Sequence, residues 1–217
     1  MRLIKSIYHF INEKLSISFY SKLRKRLINK GFTLISNNCL GGIIYHNLGL
    51  QFKSPTINLD FLPEHYLLFI TNLRYYASKP IAEVTGAKII TGVIKGDSYH
   101  PDVMVRFHHY DSFLEAKEKW ELRCKRIDFD NIFFLYEHYE NENIKCLLDF
   151  VTLASNKNNY LSITHRNHFV NNEKTVRNYK NDDKAGKLCK WMMLTGRKYL
   201  DEIDYTSWLN KDPFFWK

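Results

Sequence analysis

The segment Ser36-Asn37-Asn38-Cys39-Leu40-Gly41-Gly42 places one thiol where an apolar run, Phe32-Thr33-Leu34-Ile35, gives way to small polar residues and two glycines. The apolar stretch Ile43-Ile44-Tyr45-His46 follows. The pattern predicts a strand, a tight turn and a helix start, with Cys39 at the positive end of the helix. There a thiol pKa falls, and backbone N–H groups face an incoming anion. Two chemistries fit: a thiolate nucleophile, or a cradle for phosphate or carboxylate. A buried, unreactive cysteine beside a turn is the plain structural alternative.

Other residues able to move protons or bind anions fall at predicted strand ends: Asp60, His108, His109, Glu137, His138, His165 and Arg166. In a covalent reading, the Cys39 thiolate attacks an acyl donor and the acyl group passes to a sugar hydroxyl. His109 is then the candidate base, with Asp60 or Glu137 to orient it. N–H groups near Leu40 and Gly41 would stabilise the oxyanion. In a non-covalent reading, Ser36, Asn37, Asn38, Gly41 and Gly42 hold the phosphates of a sugar nucleotide. Arg123, Arg126 or Arg166 adds charge-assisted bonds, with His108 and His165 also at the substrate. The turn lacks the Lys-Ser/Thr ending of a P-loop and the G-x-G-x-x-G fingerprint. A third reading has no catalysis: polysaccharide stacks on Tyr75, Tyr76 and Trp208, or the domain recruits a synthesis complex to a membrane. The donor implied by the catalytic readings is an acyl-CoA or a sugar nucleotide, and the substrate a glycan or activated sugar. None of the four cysteines forms a C-x-x-C pair, so no metal site is expected.

The elements that must position these groups can be read from the apolar periodicity. Residues 32–36 predict a strand, 41–48 a short helix and 55–60 a second strand or extended segment. Pro63 opens a helix with an apolar face of Tyr66, Phe69, Ile70, Leu73 and Ala77. Residues 87–94 and 102–108 predict a hairpin. Ser112 and Glu115 have capping-box spacing and start a helix striped by Phe113, Ala116, Trp120, Cys124 and Ile127. Residues 131–136 read as a covered strand, Ile144 to Val151 as a helix, and 159–164 as a strand. Residues 171–187 read as a loop, 187–194 as a last helix, and the aromatic tail as packed back. Strands alternating with helices predict an α/β fold: a three-layer Rossmann-like domain with a mixed or mostly parallel sheet over residues 31–217.

Of the 217 residues, the first 30 hold eight Lys or Arg and one acid, which is +7 of the chain's net +9. The rest is nearly neutral, so a basic isoelectric point does not imply nucleic-acid binding. Residues 1–30 predict a basic amphipathic helical arm, suited to an anionic membrane surface or to packing on the domain. No apolar run reaches transmembrane length and no secretory signal is evident. A cytoplasmic protein with reduced thiols, peripheral at the inner face of the membrane, is the expected setting.

Ser36-Asn37-Asn38-Cys39-Leu40-Gly41-Gly42 also resembles the opening motif of an uncharacterised bacterial family whose members are often labelled exopolysaccharide or capsule biosynthesis proteins. Leu40 stands where that family commonly has Trp. Leu48-Gly49-Leu50, Ser54-Pro55-Thr56, His109-Tyr110, the helix from Glu115 through Trp120, Arg123 and Arg126, and Asp130-Asn131-Ile132-Phe133-Phe134 continue the resemblance. It covers residues 31–136 well and the last third loosely. It implies an α/β fold and a genomic setting near surface-polysaccharide genes, and it supplies no mechanism.

Overall fold

The computed structural model describes residues 2–155, 157–165, 176–178, 186–213 and 215, with backbone alone for residues 2, 3 and 176–178. In chain order it contains α1 (Arg2–Arg26), β1 (Thr33–Ser36), α2 (Leu40–Leu48), α3 (Pro63–Thr71) and α4 (Leu73–Ala77). The strands β2 (Ile81–Glu83), β3 (Thr91–Ile94) and β4 (Val103–Arg106) come next, then α5 (Phe113–Cys124), β5 (Ile132–His138) and α6 (Ile144–Leu153). The chain continues through β6 (Tyr160–Thr164), β7 (Val176–Asn178), a 3-10 turn at Tyr199–Glu202 and α7 (Tyr205–Leu209).

A parallel sheet in the order β1-β5-β6-β7 carries the α/β architecture, and a separate antiparallel sheet runs β2-β3-β4. Alternation along β5 assigns its side chains to two cores. Phe134 and Tyr136 join Ile35, Tyr66, Phe69 and Trp120 beneath α3, α5, α6 and the antiparallel sheet. Phe133 and Leu135 join Leu34, Ile44, Tyr45 and Trp208 beneath α1, α2 and α7. The parallel sheet is therefore the middle of three layers, as the sequence pattern predicts.

β1 lies at the end of the described sheet, and side chains cover its outer edge. The Tyr45 hydroxyl accepts from Leu34 N at 3.0 Å and Thr56 Oγ1 from Ser36 N at 3.0 Å. This explains why residues 55–60, expected as a second strand or extended segment, add no strand beside β1. Ser54 and Thr56 hydroxyls bond the local backbone, and Asn58 takes a left-handed φ of 61°. Only Asp60 pairs, bridging to Arg106. The expected hairpin forms as β3 and β4, in register from Thr91↔Arg106 to Ile94↔Val103. The expected helix over 187–194 is absent, replaced by turns held by a Trp191–Lys198 bridge. β7 lies within the segment read as a loop; of the aromatic tail, Trp208 is buried and Phe215 packs against the second core, while Phe214 and Trp216 lie outside the described residues.

The second half of the basic arm packs into the second core rather than standing apart. Tyr20, Leu23 and Leu27 are buried there, and the Tyr20 hydroxyl donates to Asp201 at 2.9 Å. Among the described residues, no helix is long and apolar enough to cross a membrane.

Candidate functional site

A cleft of about 370 Å³ opens at the carboxyl ends of the parallel strands. Its walls are the β1–α2 turn (Asn37 to Leu40), the segment Asp60 to Pro63, Arg106, the β5–α6 turn (Glu137, Tyr139, Asn141, Glu142), Gly186 and Cys189. Asn37 ties the first two walls to the sheet. Its side chain donates to Glu137 O and accepts from Glu137 N, both at 2.9 Å, in place of the next backbone pair. Its carbonyl accepts from Phe61 N at 2.9 Å, pinning the segment that carries Asp60.

Glu137 is the most enclosed ionisable group of the cleft, its side chain 2% exposed. Oε1 lies 2.9 Å from Nε2 of His165, which is fully buried, and Oε2 accepts a short hydrogen bond from Asn38 Nδ2. Tyr139 stacks on the His165 ring with centroids 5.1 Å apart and 7° between planes. Burial and the Glu137 carboxylate hold the Tyr139 phenol well above its ordinary range.

Asp60 builds a second carboxylate–histidine pair. Its Oδ1 accepts from Arg106 Nε at 3.0 Å and lies 2.7 Å from His108 Nε2, and Oδ2 closes the fork with Arg106 Nη2. The guanidinium keeps its remaining N–H donors for other groups.

Cys39 sits between these carboxylates, partly exposed, with Sγ 3.8 Å from Leu59 O. The lowered thiol pKa expected at a helix start is not found. Burial, then the charges of Asp60 and Glu137, push the thiol up to about 11. No hydrogen bond joins it to an imidazole among the described residues. Two of the helix-end N–H groups are also occupied: Leu40 N donates to Asn38 Oδ1 at 3.0 Å and Gly41 N to Ser36 Oγ at 3.2 Å. The Leu40 and Gly41 N–H groups, expected to stabilise an oxyanion, are thus engaged by the turn's own side chains. Gly41 and Gly42 serve packing, since a Cβ would lie 2.5 Å from Ser36 Oγ at Gly41 and 3.3 Å from Ile57 Cγ2 at Gly42.

A family model described as a domain of unknown function (DUF1919) matches residues 10–210. The chain belongs to this family. An uncharacterized protein of Haemophilus influenzae (strain ATCC 51907 / DSM 11121 / KW20 / Rd) is 28% identical over 212 residues, covering 97% of this chain and 99% of the relative.

Of the residues read as candidates from sequence, the cleft brings together Asn37, Asn38, Cys39, Asp60 and Glu137, with Ser36, His108 and His165 directly behind them. His109 is exposed, does not line the cleft and has His108 as its ring neighbour. The imidazoles bonded to Asp60 and Glu137 are those of His108 and His165. Arg123 and Arg126 lie elsewhere: Arg123 donates to the Tyr110 hydroxyl at 2.7 Å, and Arg126 to Phe52 O at 3.2 Å. Arg166 falls outside the described residues. His138 is buried at the end of β5. The sugar-stacking aromatics pack instead: Tyr76 and Trp208 are buried, and Tyr75 stacks on His100 with centroids 3.9 Å apart.

Sequence reading missed Arg106, Tyr139, Glu142 and Cys189. Arg106 and Tyr139 were traceable as polar or amphipathic residues at the ends of apolar strands. Cys189 sits in a turn with no local signal. The sequence also holds one D-x-D spacing, Asp128-Phe129-Asp130. It precedes β5, at the opposite end of the sheet from the cleft, and Asp128 N donates to Thr33 Oγ1 at 2.8 Å.

Proposed function

We propose that this protein is a transferase of surface-polysaccharide biosynthesis, acting on a hydroxyl of a sugar or glycan held in the cleft. The observation that carries the reading is the Glu137 carboxylate. It lines the cleft, and its oxygens are fixed by His165 and Asn38. A buried carboxylate with set geometry accepts a hydrogen bond from a substrate hydroxyl and takes its proton as the transfer proceeds. The described walls carry Asp60, Glu137 and Glu142 against a single cation, Arg106. Such a lining favours a hydroxyl-rich acceptor over a bare polyanion. Arg106, steadied by Asp60, offers its remaining donors to one anionic group on the donor. The volume falls within the roughly 300–1,000 Å³ of small-molecule sites. The polysaccharide setting rests on the motif resemblance from Ser36 to Gly42.

A second reading keeps Cys39 as an acyl-carrying nucleophile, favoured by its place between Asp60 and Glu137. In that case a carboxylate must take the thiol proton once the acyl donor has excluded water.

Deleting the gene in its host and analysing the surface glycan by mass spectrometry tests the proposal. A missing substituent or residue is expected, restored by the wild-type gene and not by a folded Glu137→Gln variant. An unchanged glycan in the deletion strain would overturn it.

A further inference from the structure

We propose that the outer face of α1 docks on an anionic lipid bilayer. This stands independently of the cleft's chemistry. α1 spans 25 residues, and its inward side holds Asn12, Tyr20 and Leu23 in the protein. On a helix of 3.6 residues per turn, Ile4, Ile7, Phe10, Lys14 and Ile17 step along the opposite side. Ile4 is 72% exposed, Ile7 51%, Phe10 58% and Ile17 65%. A row of large apolar side chains in water at these exposures is uncommon outside interaction surfaces.

Charge decides the occupant. The same outer side continues into Lys22 and Lys25, both exposed, and Lys14 Nζ lies 5.4 Å above the Phe10 ring. The helix carries one acid, Glu13, whose near partner is His9 at 3.2 Å. Two further cations are committed to the protein: Arg24 donates to Asn47 O and Arg26 to Asp204. Apolar side chains on the first half and exposed lysines on the second suit acyl chains below anionic headgroups. α1 is too polar to cross the bilayer, so it lies along the surface.

Co-sedimentation of the full chain with phosphatidylcholine vesicles, with and without phosphatidylglycerol, tests this. Binding is expected only with phosphatidylglycerol, weakening as salt rises. Ile7→Asp/Phe10→Asp should weaken it by about tenfold or more, and Lys22→Glu/Lys25→Glu should weaken it and flatten the salt dependence. These side chains are exposed, and circular dichroism confirms that each variant folds. Binding that is equal with and without phosphatidylglycerol, or unchanged in both variants, would overturn the proposal. So would sedimentation showing that Ile7→Asp/Phe10→Asp abolishes self-association while lipid binding persists, since a second copy would then cover the face.

Discussion

At Cys39 two effects compete, and their sizes decide the outcome. A helix end of nine residues offers a partial positive charge, worth about 0.3–1 kcal/mol near a surface. Burial and two neighbouring carboxylates act the other way and win, leaving the thiol at about 11. The sign fixes the pH dependence: the thiolate fraction, and with it the alkylation rate, should climb about tenfold per pH unit through neutrality. It should level only near 11. Cys124, Cys146 and Cys189 are held at about 12, so Cys39 should still label first. Peptide mass spectrometry after timed iodoacetamide treatment across pH measures this, and a rate plateau near pH 7 would show an activated thiol. Sequence supplied the carboxylates of the site and placed His108 and His165 at the substrate, but it named His109 as the base and did not pair His108 with Asp60 or His165 with Glu137. His108 and His109 are adjacent in the turn that follows β4, where no strand or helix period says which ring faces Asp60. The choice depended on Asp60, 48 residues away, a separation that local pattern does not encode.

The elements were legible where the signal was local. Pro63 opens α3, and Ser112 caps α5 by accepting from Glu115 N at 3.2 Å. They were illegible where side chains replace backbone pairing. Residues 55–60 look like a strand until Ser54, Thr56 and the left-handed Asn58 are counted. Asn37 prolongs the β1–β5 ladder with its amide, which strand periodicity cannot reveal. The β1–α2 turn depends on closeness that only glycine allows. Gly41→Ala would set a Cβ 2.5 Å from Ser36 Oγ, which itself accepts from Gly41 N. Helix propensity favours alanine by up to about 1 kcal/mol, but the overlap with a fully buried Ser36 should outweigh it. A net loss of about 1–3 kcal/mol in urea unfolding is expected. Unchanged stability would mean that the turn relaxes and does not hold Cys39 rigidly.

Across the molecule, two cores share the parallel sheet, and the cleft lies at the sheet's carboxyl edge, where loops from both sides converge. The segment around Cys189 joins the scales: it lines the cleft and also a groove beside α1 with His9, Tyr20 and Trp191. The layered α/β design could be read from sequence because alternation along β1 and β5 is written in Leu34, Ile35, Phe133 and Phe134. The split into a parallel and an antiparallel sheet could not, since β2 is three residues long. The central claim is that a carboxylate fixed by histidine and asparagine, rather than the thiol, moves the proton during transfer. The most direct measurement compares surface-glycan modification in the deletion strain carrying folded Glu137→Gln or Cys39→Ser at matched protein levels. The account predicts at least a hundredfold loss for Glu137→Gln, on the order of a missing general base, and near wild-type modification for Cys39→Ser. Full modification by Glu137→Gln together with loss in Cys39→Ser would contradict it and make the thiol the nucleophile.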